Sequence, residues 1–125
     1  MKPKNILLIE DDLFLASILQ SHFEEDKAYK FSVVRSGGEA LELLKTSLPD
    51  LILLDLILPQ RSGFEVMEAI RGNPATSKVP VIVISNLDRD KDIERGKQLG
   101  AIGYVVKAKT TLRDLTELIK KSVDK

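Results

Sequence analysis

Glu10, Asp11 and Asp12 follow one short apolar run, Asp55 follows another, Ser85 and Asn86 a third, and Lys107 a fourth. Carboxylates gathered in one place repel, and that repulsion is offset by protons or by a cation. Mg²⁺ suits the second option, because it takes one or two carboxylates and keeps waters that a phosphate can displace. Lys107 would add a second positive charge and Ser85 a neutral donor. Such a set suits a phosphoryl group, whose equatorial oxygens need positive partners on several sides. A carboxylate at its centre is a candidate nucleophile that would form an acyl phosphate. Asp55 is that candidate, expected on the middle strand between the acidic pair and the Ser and Lys.

These residues converge only if the chain positions them. Five apolar runs, Ile6–Ile9, Phe31–Val34, Leu51–Leu54, Val81–Ile84 and Tyr104–Val106, are separated by stretches of helical periodicity. The first, third and fourth are continuous, as expected of strands covered on both faces in a parallel sheet. Leu15, Ile18, Leu19 and Phe23 form one helical stripe. Ser36 to Glu39 and Ser62 to Glu65 fit capping boxes, Thr111 to Asp114 is a looser version, and Asp12 is expected as an N-cap. Gly72 and Gly100 mark helix stops. Strand and helix alternating five times predict a single α/β domain, a doubly wound (βα)5 parallel sheet with right-handed crossovers. In such sheets ligands bind at the carboxyl ends of the strands, where all the singled-out residues fall.

Composition narrows the field further. A chain of 125 residues has room for one domain, at roughly 100–200 residues each. Nineteen basic residues against nineteen acidic ones argue against direct nucleic-acid binding or attachment to an anionic membrane. With no Cys, disulfide scaffolds, thiolate zinc sites and Cys nucleophiles are excluded, and any metal would sit on oxygens. The runs Leu51–Leu54 and Leu56–Leu58 fall far short of the roughly 20 residues of a membrane helix. The start, Met1 to Lys4, is basic, but Glu10 cuts off the apolar stretch that a signal peptide needs. The expected location is the cytoplasm.

Taken together, the motifs resemble the receiver domain of two-component response regulators over essentially the whole chain. The acidic pair matches Glu10 and Asp11, and the phospho-acceptor matches Asp55 within the stretch from Pro49 to Pro59. The hydroxyl residue matches Ser85, the lysine Lys107 and the switch aromatic Tyr104. The resemblance implies the flavodoxin-like strand order 2-1-3-4-5 and a receiver domain over residues 1–125, with no output domain. It also implies transfer of a phosphoryl group from a histidine kinase or histidine phosphotransfer protein onto Asp55. Mg²⁺ (or Mn²⁺) would be held by Asp11, Asp55 and the carbonyl of Ile57, with Glu10 acting through water. Ser85 would swing onto a phosphoryl oxygen while Tyr104 turns inward. The face of the fourth helix, fifth strand and fifth helix would then change shape for a downstream protein, or for a second copy in a phosphorylation-dependent homodimer. Such a domain is a switch, not an enzyme acting on an outside substrate.

Four features depart from the family's pattern or modulate it. Ala108 stands where the family usually has a cis proline. Since a cis non-proline bond costs about 2.5–4 kcal/mol, a trans bond and a reshaped loop are expected. Asn86 stands where a very small residue is favoured, and either narrows access to Asp55 or bonds the phosphoryl group. Ile57 and Leu87 occupy positions that tune phosphate lifetime; both are apolar and unable to orient water, which predicts slow loss. The segment from Asp88 to Leu99 offers chiefly Ile93 and Leu99 for burial, which predicts a mobile helix on the signalling surface.

Other readings are less well supported. A haloacid-dehalogenase-like phosphohydrolase would need a second carboxylate where Ile57 stands, and a cap insertion. A receiver-like scaffold that binds without taking phosphate would fit Asn86 and Ala108. A flavin or nucleotide module lacks its glycine-rich loop after the first strand. His22 is expected as a surface or boundary residue. Lys109, Arg113, Lys120 and Lys121, balanced by Asp114, Glu117 and Asp124, make a solvated helix face or docking face.

Overall fold

The computed structural model describes residues 2–124; Met1 and Lys125, the two ends of the 1–125 span, lie outside the described residues. The apolar runs become five strands: β1 (Lys4–Ile9), β2 (Tyr29–Val34), β3 (Leu51–Leu54), β4 (Val81–Ser85) and β5 (Gly103–Val106). Between and after them run α1 (Leu13–Glu24), α2 (Gly37–Leu43), α3 (Gly63–Gly72), α4 (Asp90–Gln98) and α5 (Leu112–Val123), with a short 3₁₀ turn at Lys107–Lys109. The sheet order is β2-β1-β3-β4-β5 and every pairing is parallel, as expected.

Because both faces of the sheet are covered, alternate residues of one strand belong to different cores. Ile6, Leu8, Leu51, Leu53, Ile82, Ile84 and Val105 pack beneath α1 and α5, against Leu19, Phe23 and Ile119. Leu7, Ile9, Ile52, Leu54, Val81 and Val83 pack on the other face, against Ala40 of α2 and Phe64, Met67 and Ile70 of α3. The stripe on α1 is shifted from its sequence reading: Ala16, Leu19 and Phe23 are buried, while Leu15 and Ile18 sit at the boundary.

Helix starts are held by side-chain caps worth about 1 kcal/mol each. Asp12 Oδ1 accepts from Phe14 N and Leu15 N, and Ser36, Ser62 and Thr111 accept from Glu39, Glu65 and Asp114 N–H groups. Each expected capping box forms its Ser half. α4 differs on both counts: its N-cap, Arg89, makes no side-chain cap bond, and its sole buried residue is Gly96, which has no side chain to bury. A fully buried Leu or Ile contributes about 1.5–3 kcal/mol, a contribution that α4 lacks. Among the described residues no helix is long and apolar enough to cross a membrane.

The strand register sets the site. Ile9 lies opposite Val34 and Leu54, Leu54 opposite Val83, and Ser85 opposite Val106. The next residues, Glu10, Asp55 and Lys107, therefore emerge side by side at the carboxyl edge.

Candidate functional site

Asp55 directly follows β3, with only 5% of its surface exposed. Its N–H donates to Ile9 O at 3.0 Å. Asp55 Oδ1 accepts from Ile57 N at 3.0 Å, and Oδ2 accepts from Lys107 Nζ at 2.9 Å. Lys107 Nζ also lies 2.6 Å from Glu10 Oε1, so one ammonium bridges two carboxylates. Glu10 is 1% exposed, and its Oε2 accepts from Asp12 N at 3.1 Å. Glu10 Oε1 therefore has the Lys107 ammonium as its partner, and Oε2 has the Asp12 N–H.

The electrostatics follow from this packing. Burial pushes the Glu10 carboxyl up to about 7, the facing Asp55 carboxylate adds to the rise, and Lys107 opposes it. Burial pulls Lys107 down, but Glu10 and Asp55 outweigh it and hold the ammonium above its ordinary range.

Asp11 is placed differently from its neighbours. Its carboxylate lies 3.7 Å from the Arg35 guanidinium in a half-exposed pair, and it borders both the Asp55 recess and an adjoining one lined by Arg35, Ser36 and Gln60. Among the described residues, no three acidic or His side chains are drawn tightly enough together to hold a metal as they stand. The donor chemistry nevertheless fits a hard divalent cation. Glu10, Asp11, Asp12, Asp55 and Ile57 line one recess of about 270 Å³, so four carboxylates and a backbone carbonyl border the same space. An exposed Arg–Asp pair is worth about 0–1 kcal/mol, too little to hold Asp11 away from such an ion.

The remaining expected residues divide into two groups. Ile57, 56% exposed, lines the recess together with Asn86 and Lys107. Leu87 does not line it: its half-buried side chain packs into the core on the α3 side. Ser85 is fully buried, and its Oγ accepts from Leu87 N at 3.3 Å. Tyr104 lies against α4, where a Cβ built on Gly96 would come within 3.2 Å of its ring, and its hydroxyl donates to Leu87 O at 2.6 Å. Burial pushes that phenol up to about 12, with Asp92, Asp55 and Asp88 adding to it. The Lys107–Ala108 bond is trans, since the chain has no cis peptide among its described residues. The loop there winds into the 3₁₀ turn, and Asn86 Oδ1 accepts from Ala108 N at 3.0 Å.

His22 sits at the boundary with its ring edge-on to Phe23, and Arg113 and Glu117 form an exposed pair on α5. Two contributors were missed in the sequence. Arg35 directly follows β2, so the strand-end rule that picks out Asp55 also reaches it. Gly63 starts α3 so close to the end of β3 that a Cβ there would overlap Asp55 O and Leu56 Cα, and no pattern of apolar residues announces that approach.

This fold is that of a known signalling module. The chain belongs to the response regulator receiver domain family, whose profile matches residues 6–120. It is 34% identical over 111 residues to the phosphate regulon transcriptional regulatory protein PhoB of Rhizobium meliloti, an alignment that covers 89% of this chain and 48% of that protein. The Mn(2+)-bound form of response regulator Rcp1 is similar in structure, with TM-score 0.83 and 29% identity, covering 95% of this chain and 91% of that one. The non-phosphorylated HemR receiver domain from Leptospira biflexa has TM-score 0.88 and 28% identity, covering 98% of this chain and 95% of that one. The chain spans less than half the length of the curated relatives it matches. It is thus a receiver domain of the two-component response regulators, a family of signalling switches.

Proposed function

We propose that Asp55 accepts a phosphoryl group from a phosphohistidine of a histidine kinase or phosphotransfer protein. The observation that carries this reading is the Lys107 ammonium held between Asp55 and Glu10 at the carboxyl end of the middle strand. An Asp55 carboxylate oxygen bonds to phosphorus as the P–N bond to the donor imidazole breaks, and the leaving nitrogen keeps the electron pair. Asp11, Asp55 and the Ile57 carbonyl would hold Mg²⁺ or Mn²⁺, with Glu10 acting through water. When bound, that ion supplies positive charge to the phosphoryl oxygens. The structurally similar response regulator Rcp1 has a Mn(2+)-bound form, which supports a divalent ion in this fold.

Lys107 keeps its contact with Asp55 and follows the charge onto the phosphoryl oxygens. Ser85 exchanges its bond to Leu87 N for one to a phosphoryl oxygen, and this shifts the turn that also holds Tyr104. The face of α4, β5 and α5 then changes for a downstream protein or for a second copy of the chain. Exposed Leu13 and Phe14 at the start of α1, with Leu112 at the start of α5 and Ile57, ring the same edge and suit an apolar surface on the phosphodonor. The domain is a switch without an outside substrate, and its partners are proteins, not nucleic acid or membrane.

The test is Mg²⁺-dependent modification by acetyl phosphate, or by beryllofluoride as its mimic, read by intact mass and NMR on wild type and Asp55→Asn. An adduct that requires both Mg²⁺ and Asp55, with shifts spreading to Tyr104 and α5, is the expected result. No adduct despite Mg²⁺ binding would overturn it in favour of a scaffold that signals by binding alone.

A further inference from the structure

Asn86 and Ala108, the two positions at which the sequence reading departs from the receiver pattern, touch each other. Asn86 Oδ1 accepts from Ala108 N at 3.0 Å and so joins the turn after β4 to the 3₁₀ turn after β5. A backbone nitrogen can only donate, so the amide oxygen is the atom that faces Ala108, and the side chain has one orientation. Proline at 108 would have no N–H to give, and it would bar its predecessor from helical dihedrals. Lys107 is that predecessor and opens the 3₁₀ turn. Alanine at 108 therefore permits both the turn and the bond, and Asn86 supplies an acceptor that a Gly or Ala would lack.

The bond sits where the sheet stops giving support. The β4–β5 ladder ends at Ser85 and Val106, one residue before Lys107. Beyond it, among the described residues, Asn86 to Ala108 is the one hydrogen bond between the two turns. The Lys109–Asp88 pair at 3.6 Å also spans them, but it is exposed and screened. Where Lys107 points depends on where its backbone is held, because its four-carbon stem has little rigidity of its own.

We propose that Asn86 is a positioning residue: by holding the Ala108 N–H it fixes the turn that sets Lys107 against Asp55 and Glu10. Its functional consequence rests on reading Asp55 as the phosphoryl acceptor.

The test uses isotopically labelled full chain as wild type, Asn86→Ala, Asn86→Asp (which keeps an acceptor oxygen) and Lys109→Ala. Three quantities are read: exchange of the Ala108 amide, the side-chain resonances of Lys107, and Mg²⁺-dependent beryllofluoride binding. In Asn86→Ala the Ala108 amide exchanges about tenfold faster, the cost of one lost hydrogen bond. The Lys107 resonances shift, and beryllofluoride half-saturation rises several-fold. Asn86→Asp keeps Ala108 protected, and Lys109→Ala leaves Lys107 unmoved. Unchanged Ala108 exchange or unmoved Lys107 resonances in Asn86→Ala would overturn the proposal. Tighter or faster beryllofluoride binding in that variant would do so too, making Asn86 a gate. A wild type that takes no beryllofluoride would strike the acceptor reading alone, because the exchange and resonance measurements need no adduct.

Discussion

The Tyr104 hydroxyl donates to the Leu87 carbonyl at 2.6 Å, so the aromatic of β5 is tied to the turn after β4. That turn also carries Ser85 and Asn86, and Tyr104 packs on Gly96 of α4. The bond thereby joins the Asp55 edge of the sheet to the surface of α4, β5 and α5.

The first prediction concerns pH. The Tyr104 phenol is pushed up from its ordinary 10 to about 12, so between those values the folded chain holds a proton that the unfolded chain has lost. Stability from this group is fully present below about pH 10 and is lost as pH rises toward 12. Phenolate absorbance should show a late component that disappears in Tyr104→Phe, leaving Tyr29, itself raised by burial and its bond to Asp124. A Tyr104→Phe difference titrating near 10 would contradict this. The same variant should cost about 1 kcal/mol in urea unfolding for the lost hydrogen bond.

Phosphate lifetime should depend on Ile57 more than on Leu87. Ile57 borders the recess, while Leu87 packs into the core. With Asp55 phosphorylated, Ile57→Asn should speed decay about tenfold by orienting water, less than a full general base achieves. Leu87→Glu should change decay less. Equal decay in wild type and both variants, followed by loss of the phospho-species in intact mass, would refute slow loss through apolar walls.

Arg71 is a structural clamp. Its guanidinium donates to the carbonyls of Leu99, Ser77, Val79 and Gly100, tying the end of α3 to the loops that precede β4 and β5. Lysine keeps the charge but not the fork, so Arg71→Lys should cost about 2–3 kcal/mol in urea unfolding. Arg95→Lys, which disturbs the exposed pair with Glu68, should cost under about 1 kcal/mol.

The helix α4 should open first. With no side-chain cap and only Gly96 buried, its amides should exchange at least about tenfold faster than those of α1. Equal protection in the two helices would show that the contacts with Tyr104, and of Arg95 with Phe64 and Glu68, suffice to hold it.

Much of the architecture could be read from the sequence because continuous runs such as Leu51–Leu54 have few ways to be buried. The strand starts Lys4–Asn5 and Tyr29–Lys30 were missed because partly polar edge residues break the run. Asp55 and Lys107 meet because each follows a strand of known rank, which is a matter of topology. The Asn86–Ala108 bond and the Asp11–Arg35 pair depend on side-chain torsions and loop paths, which no periodicity encodes. The burial of Ala16 in place of Leu15 reflects the rotation of α1 on the sheet, a quantity the stripe alone leaves undetermined.

The all-apolar strands have a consequence for folding. Leu51 to Leu54 are buried at every position, so a shift of β3 by one residue would exchange its two faces with no loss of greasy surface. What penalises the shift is the bracket of acids around the strand. Asp50 exchanges bonds with Asn5 at one end, accepting from its N–H at 2.7 Å and donating to its carbonyl at 2.8 Å, and Asp55 meets Lys107 at the other. Sliding either way drags a carboxylate into hydrocarbon, at a cost of several kcal/mol. The residues proposed to receive the signal thus also reject misaligned sheets while the chain folds.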